Sequence, residues 1–277
     1  MHHHRASAKR RRSSVEVSQV SGFSRQLMGR NMESSDRAAV LDELASLIAG
    51  IRSARPIRVA IDGRTASGNT TLADELAEAL GKTGRAVIRT SIDGFHRPKV
   101  ERYARGRHSA EGYYYDARDL PAINALLLSP LGPGGDRRYR TASFDLDNDQ
   151  PIKQEPQVAS ADAILIVDGT FLQRPELRDD WDLAIFVETS EQLSEQRGID
   201  RDAGRLGGAD ATRQLYAVRY KPAFDIYESM CAPASTADAV FNNDNFARPV
   251  LQVRTGGRLS HKSYRPCENP SADDSLN

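Results

Sequence analysis

The chain has little cysteine, no excess of charge of either sign and no long apolar run. Its two cysteines among 277 residues, Cys231 and Cys267, exclude a disulfide scaffold. They are also too isolated for a zinc site, which takes closely spaced ligand pairs. Both read as free thiols of a reducing compartment. Lys+Arg and Asp+Glu both total 38, so no general electrostatic drive toward nucleic acid or an anionic membrane exists, and neither is expected as a partner. No apolar stretch approaches the roughly 20 residues of a membrane span, and the N-terminus lacks the apolar stretch of a signal peptide. A cytoplasmic protein is expected. What is present, 39% hydrophobic and 27% charged residues, supports one substantial core or at most two small ones, and excludes fibrous and wholly disordered chains.

Residues 1–34 are polar and Ser-rich, with Arg5, Lys9, Arg10, Arg11 and Arg12 uninterrupted by any acid and His2 to His4 ahead of them. Such a segment buries too little surface to offset the entropy of ordering, and a disordered basic arm is expected. From Ser35 the pattern changes. Val40, Leu41, Leu44, Leu47, Ile48 and Ile51 recur at helical spacing, with Ser35 or Asp36 as cap. After Pro56, Ile57 to Ile61 reads as a buried parallel strand, followed by a Gly-rich turn and a helix carrying Leu72, Leu76 and Leu80. Strand-like runs at Ala86 to Ile92, Ala163 to Val167, Leu183 to Val187 and Ala239 to Phe241 alternate with helical patterns at Leu120 to Leu128 and in two stretches after Val187. This alternation predicts an α/β fold with a parallel sheet covered on both faces. A single domain over 35–253 is expected, with a less regular insertion at about 94–160 and an unpatterned tail over 254–277.

Between the first strand and the next helix lies Gly63-Arg64-Thr65-Ala66-Ser67-Gly68-Asn69-Thr70-Thr71. The spacing is that of a phosphate-binding P-loop, in which backbone N–H groups turn inward around phosphates and a Ser/Thr hydroxyl holds Mg²⁺. Thr70 takes the hydroxyl position. Asn69 stands where the motif has lysine, so the cation that follows charge onto the β/γ-phosphates is missing. Arg64 or a lid arginine is the candidate replacement.

Two acids end strands where open α/β sheets place ligands. Asp93, in Ser91-Ile92-Asp93-Gly94, suits a general base, and Asp168, in Val167-Asp168-Gly169, suits a contact to Mg²⁺. Each is also ordinary turn chemistry. Arg197, Arg201 and Arg205 recur every four residues beside Asp202, which puts three guanidinium groups on one helix face, either as a lid over triphosphate or as a solvated stripe.

Together VAIDGRTASGNTT, SIDGFHRP, YYYDARDL, ILIVDGTFL, RGIDRDAGR, RYKPAFDIY and ADAVFNND resemble, in order and spacing, the uridine kinase family of P-loop nucleoside kinases, over about residues 55–250. The resemblance implies a three-layer α/β/α P-loop fold with a substrate-binding insertion and a helical lid at about 195–212. It implies ATP or GTP on residues 63–71, Mg²⁺ on Thr70 and Asp168, and Asp93 activating the 5′-hydroxyl of a pyrimidine nucleoside. Arg201 and Arg205 match the lid arginines, and Arg197 matches less well. Phe95, Tyr115, Asp116, Phe144 and Asp145 match the nucleoside pocket. Relatives are often oligomers, so a homo-oligomer is implied as well. The chain departs from the family at Asn69, and at Asp168, where the uridine kinases usually have glutamate. The pyrimidine-reading histidine has no counterpart near Phe144. A nucleotide-binding protein of little or no kinase activity, or a kinase for another small hydroxyl substrate, remains an alternative.

Overall fold

The computed structural model describes residues 31–32 and 36–260. Among these residues a seven-stranded sheet runs through the molecule. Its strands are β1 (Asn31–Met32), β2 (Ile57–Gly63), β3 (Val87–Ser91), β4 (Ile164–Gly169), β5 (Leu183–Glu188), β6 (Ala239–Asn242) and β7 (Val250–Val253). The order is β1-β7-β6-β5-β2-β4-β3. The five strands from β6 to β3 are mutually parallel, as the alternating pattern predicts, and β7 and β1 add antiparallel at one edge.

Strand β2 is central and buried at every residue, and its alternation divides the core in two. Ile57, Val59 and Ile61 pack with α1 (Arg37–Ala49) and α2 (Asn69–Gly81), against Val40, Leu44, Ile48, Leu72, Leu76 and Leu80. Ala60 belongs to the other cluster, with Ile123, Leu127, Tyr114, Phe224 and Tyr227. Burial of each α2 leucine stabilises by about 1.5–3 kcal/mol. Asp36 caps α1 by accepting from the Ala38 N–H, and Gly50 ends it well before Pro56. Leu47, expected on the apolar face, is only half-buried, and Ala45 takes its place. Arg58 is an exception to the apolar pattern of β2, buried but neutralised by Asp182, with Nε 3.1 Å from Oδ2.

The helix at Leu120 extends to Leu131 through a π turn at Asn124–Leu128. After β5 come α3 (Glu191–Leu206) and α4 (Ala209–Leu215), then a π turn at Tyr216–Tyr220 that leads into α5 (Lys221–Cys231). The expected lid corresponds to most of α3 and the start of α4.

Two boundaries differ from expectation. Asn31 and Met32, placed with the disordered arm by composition, pair with Gln252 and Leu251 of β7. Residues 254–260, placed with the tail, pack on the domain. Arg258 donates to buried Asp238 at 2.7 Å and to the Trp181 carbonyl at 2.9 Å, and Leu259 is buried. A buried carboxylate at the start of β6 requires a cation, and the tail brings it. The basic residues of the arm, His2 to His4, Cys267 and positions 261–277 lie outside the described residues. Cys231 is a buried free thiol. No helix among the described residues is long and apolar enough to cross a membrane.

Candidate active site

The C-terminal ends of β2, β3 and β4 open into one cleft of about 610 Å³, lined by loop residues Thr65, Ala66, Gly68, Asn69, Thr70 and Thr71 together with Asp93, Asp168, Arg197, Arg201 and Arg205. The loop leaves β2 at Gly63 and enters α2 at Asn69. Gly68 has φ +100°, a conformation open to glycine at little cost, and a side chain there would also strike the Asn243 amide. Asn243 braces the loop from outside. Its Nδ2 donates to the Ser67 carbonyl at 2.8 Å, the Thr189 hydroxyl donates to the same carbonyl, and Arg37 donates to Asn243 Oδ1 at 3.0 Å.

The Asn69 side chain is turned into the loop. Its Nδ2 donates to the Gly169 carbonyl at 2.7 Å and more weakly to the Gly63 carbonyl, and its Oδ1 accepts from the Ser67 hydroxyl. Its amide therefore ties the loop to the end of β4. Arg64 does not stand in for the missing lysine. Its guanidinium lies 4.4 Å over the Phe224 ring and 3.5 Å from Glu191, and it is not among the cleft residues.

Thr70 Oγ1 donates to Asp168 Oδ2 at 2.6 Å. This hydroxyl and carboxylate are a donor set for a hard cation. Such a pair is compatible with Mg²⁺, which takes few protein ligands and completes its shell with water and phosphate oxygens. Arg89, which the sequence reading passed over, reaches the same acid from β3. Its Nη1 lies 2.7 Å from Asp168 Oδ1 and its Nε donates to Asp74 at 2.8 Å.

Asp93 sits in a one-turn helix at the end of β3. Arg118 Nη2 donates to its Oδ1 at 2.7 Å, while Arg118 Nη1 donates to His96 Nε2 at 2.5 Å. His96 in turn donates from Nδ1 to the Asp93 carbonyl at 2.9 Å. Burial first, and then the Arg118 charge, push the imidazole down to about 3, so it stays neutral and can accept from Arg118. His96 and Arg118 lie inside the SIDGFHRP and YYYDARDL motifs, whose aspartates and aromatics alone carry the resemblance.

In α3, Arg201 and Arg205 both pair with the buried Asp202, and Arg197 donates to the Asn243 carbonyl at 3.0 Å. Burial raises the Asp202 carboxyl, but the Arg201 and Arg205 contacts outweigh it and hold it below the ordinary range.

The residues matched to a nucleoside pocket are not brought into the cleft. Phe95 is wholly buried in the core and Phe144 nearly so. Tyr115 is exposed and donates to the Met230 sulfur, Asp116 pairs with Arg105 at 2.8 Å, and Asp145 caps the turn at Asp147 and Asn148. Tyr103, Tyr113, Arg102, Arg118, Arg219 and Tyr220 line that side instead.

A loop of this spacing between a parallel strand and a helix, with strand-end acids and an arginine-bearing helix around one cleft, defines a P-loop kinase fold. The Phosphoribulokinase / Uridine kinase family matches residues 58–245, and the chain belongs to that family. It is 28% identical over 63% of its length to uridine-cytidine kinase B of Dictyostelium discoideum, spanning 70% of that protein. It is 23% identical over 62% of its length to a uridine kinase of Lactobacillus helveticus, spanning 80% of it. Among solved structures it is similar to a possible uridine kinase from Bacillus stearothermophilus, with a TM-score of 0.58 and 25% identity, covering 72% of this chain and 96% of that one.

Proposed function

We propose that this protein transfers the γ-phosphoryl group of ATP or GTP to a hydroxyl of a small acceptor, the reaction that the names of its uridine kinase relatives describe for a nucleoside. The observation that carries this reading is the placement of Asp93 in the same cleft as the P-loop and the Thr70–Asp168 pair.

The loop N–H groups and the α2 N-terminus receive the phosphates. Arg118 occupies Asp93 Oδ1, leaving Oδ2 to take the acceptor hydroxyl proton as the oxygen attacks. His96 holds Arg118, and through it the carboxylate, in place. Arg201 and Arg205 from α3 line the cleft and bring positive charge to the transferring group. Thr70 and Asp168 would hold Mg²⁺, which would supply neutralisation of the negative charge on the nucleotide phosphates.

Asp93→Asn tests the reading. Turnover should fall by about 10²-fold or more while nucleotide affinity stays within twofold. Normal turnover in that variant would remove Asp93 from the base role.

A second reading, nucleotide binding with little transfer, is favoured by one observation, the commitment of the Asn69 amide to the loop. Nucleotide affinity without transfer to any acceptor would support it.

A further inference from the structure

Arg219, in the π turn between α4 and α5, lines the acceptor side of the cleft and is 6% exposed. Its Nη1 donates to the Arg107 carbonyl at 2.7 Å, and its Nε is buried without a hydrogen-bond partner. Among the described residues no carboxylate pairs with it. The rings of Tyr103, Tyr113 and Tyr220 surround it at 5.1, 4.9 and 5.7 Å. Aromatic faces stabilise a guanidinium from above and below, but its N–H groups point outward in the plane, where a carboxylate or phosphate binds.

Two neighbours share the buried, unpartnered Nε though not the lack of a carboxylate. Arg102 is paired with Asp149 and Arg118 with Asp93, yet the Nε of each is buried and unpartnered. The Tyr103 hydroxyl lies between Arg102 and Arg219. Burial raises its pKa, but hydrogen bonds and charge from the two arginines outweigh this and hold it below the ordinary value. A buried cation without a counter-ion is destabilising unless an anion arrives to match it. A neutral nucleoside would leave Arg219 unmatched, and the residues expected to read its base stand outside the cleft.

We propose that the acceptor carries an anionic group, a carboxylate or a phosphate, beside the hydroxyl it presents to Asp93, and that Arg219 with Arg102 and Tyr103 receives that group. The inference rests on the phosphotransferase reading for its geometry, but it concerns binding and is tested as binding.

The experiment is calorimetric titration of the full chain, saturated with Mg²⁺ and a non-hydrolysable ATP analogue, with ribulose 5-phosphate, pantothenate, inorganic phosphate and uridine. Transfer from ATP to the three organic acceptors is measured alongside. At least one anion should bind tenfold or more tighter than uridine, and the preferred anion separates the phosphate from the carboxylate arm. Arg219→Gln should weaken that anion at least tenfold, Arg219→Lys should recover part of the loss, and nucleotide affinity should stay within twofold. Tighter binding of uridine, unchanged anion affinity in Arg219→Gln, or no binding by any anion overturns the proposal. If Arg219→Gln does not fold, Tyr103→Phe must weaken the anion, and an unchanged affinity overturns the proposal equally. Anion binding without transfer to any acceptor would overturn the phosphotransferase reading and leave this site standing, whereas more efficient transfer to uridine than to either organic anion would do the reverse.

Discussion

Asn69 and Gly169 are joined across the cleft floor, with the amide of one 2.7 Å from the carbonyl of the other. The position that carries a phosphate-directed cation in other P-loops is here a tie between the loop and the end of β4. The loop thus keeps its shape but has no charge of its own to follow the γ-phosphoryl group.

Asn69→Lys restores that charge. The expected result is a rise in kcat of about 10²-fold, the scale of a positioned electrostatic contact at a developing anion. Single-turnover phosphoryl transfer with Mg·ATP measures it, with circular dichroism to show that the loss of the Gly169 tie does not unfold the domain.

Asp168 is shared between Thr70 and Arg89. Asp168→Asn should weaken Mg²⁺ at least tenfold while leaving nucleotide affinity in EDTA nearly unchanged. Arg89→Leu removes a cation 2.7 Å from the carboxylate and should shift half-saturation to lower Mg²⁺ by several-fold. Titration of a fluorescent ATP analogue against Mg²⁺ reads both directions.

His96→Leu removes the acceptor that holds Arg118 and should lower kcat by about 10-fold or more, with the KM for nucleotide unchanged. The pH profile supplies the independent readout. Because the imidazole is pushed down to about 3, the wild-type rate should show no limb from His96 between pH 5 and 8.

Asp62 lies directly before the loop, wholly buried, and accepts from the Gly63 and Leu172 N–H groups, Gln173 Nε2 and the Tyr227 hydroxyl. Burial raises its carboxyl from 3.8 to about 6, against the lowering effect of those hydrogen bonds. A carboxyl that holds its proton more tightly when folded contributes full stability below 3.8 and loses it as pH rises through about 6. Tyr227→Phe removes a donor to the ionised form. It should therefore cost about 1–3 kcal/mol at pH 8 and distinctly less at pH 4. Urea denaturation at the two pH values provides the comparison.

The parallel sheet, the loop and the strand-end acids were legible because each leaves a local mark. Apolar runs identify β2 and β4, and fixed glycine spacing identifies the turn. The two antiparallel strands were not legible, since Asn31–Met32 is too short for a period and Val250–Val253 carries Gln252 within it. Tertiary burial hid Arg102, Arg118 and Arg219, because a charged residue in an irregular insertion or a π turn looks solvent-facing until its neighbours close over it. For the same reason Phe95 and Phe144, which motif matching assigns to a pocket, serve the core. Asp62 left no mark either, being one acid at the end of a strand, directly before the loop.

Asn243 lies 176 residues from Ser67 in sequence, yet it grips that residue's carbonyl and fills the space beside Gly68. A saturation screen for loss of ATP affinity would accordingly register position 243, far from any P-loop motif, as part of the phosphate cradle. The screen would trace the strength of nucleotide binding to the end of β6, two strands away from the β2 that carries the loop.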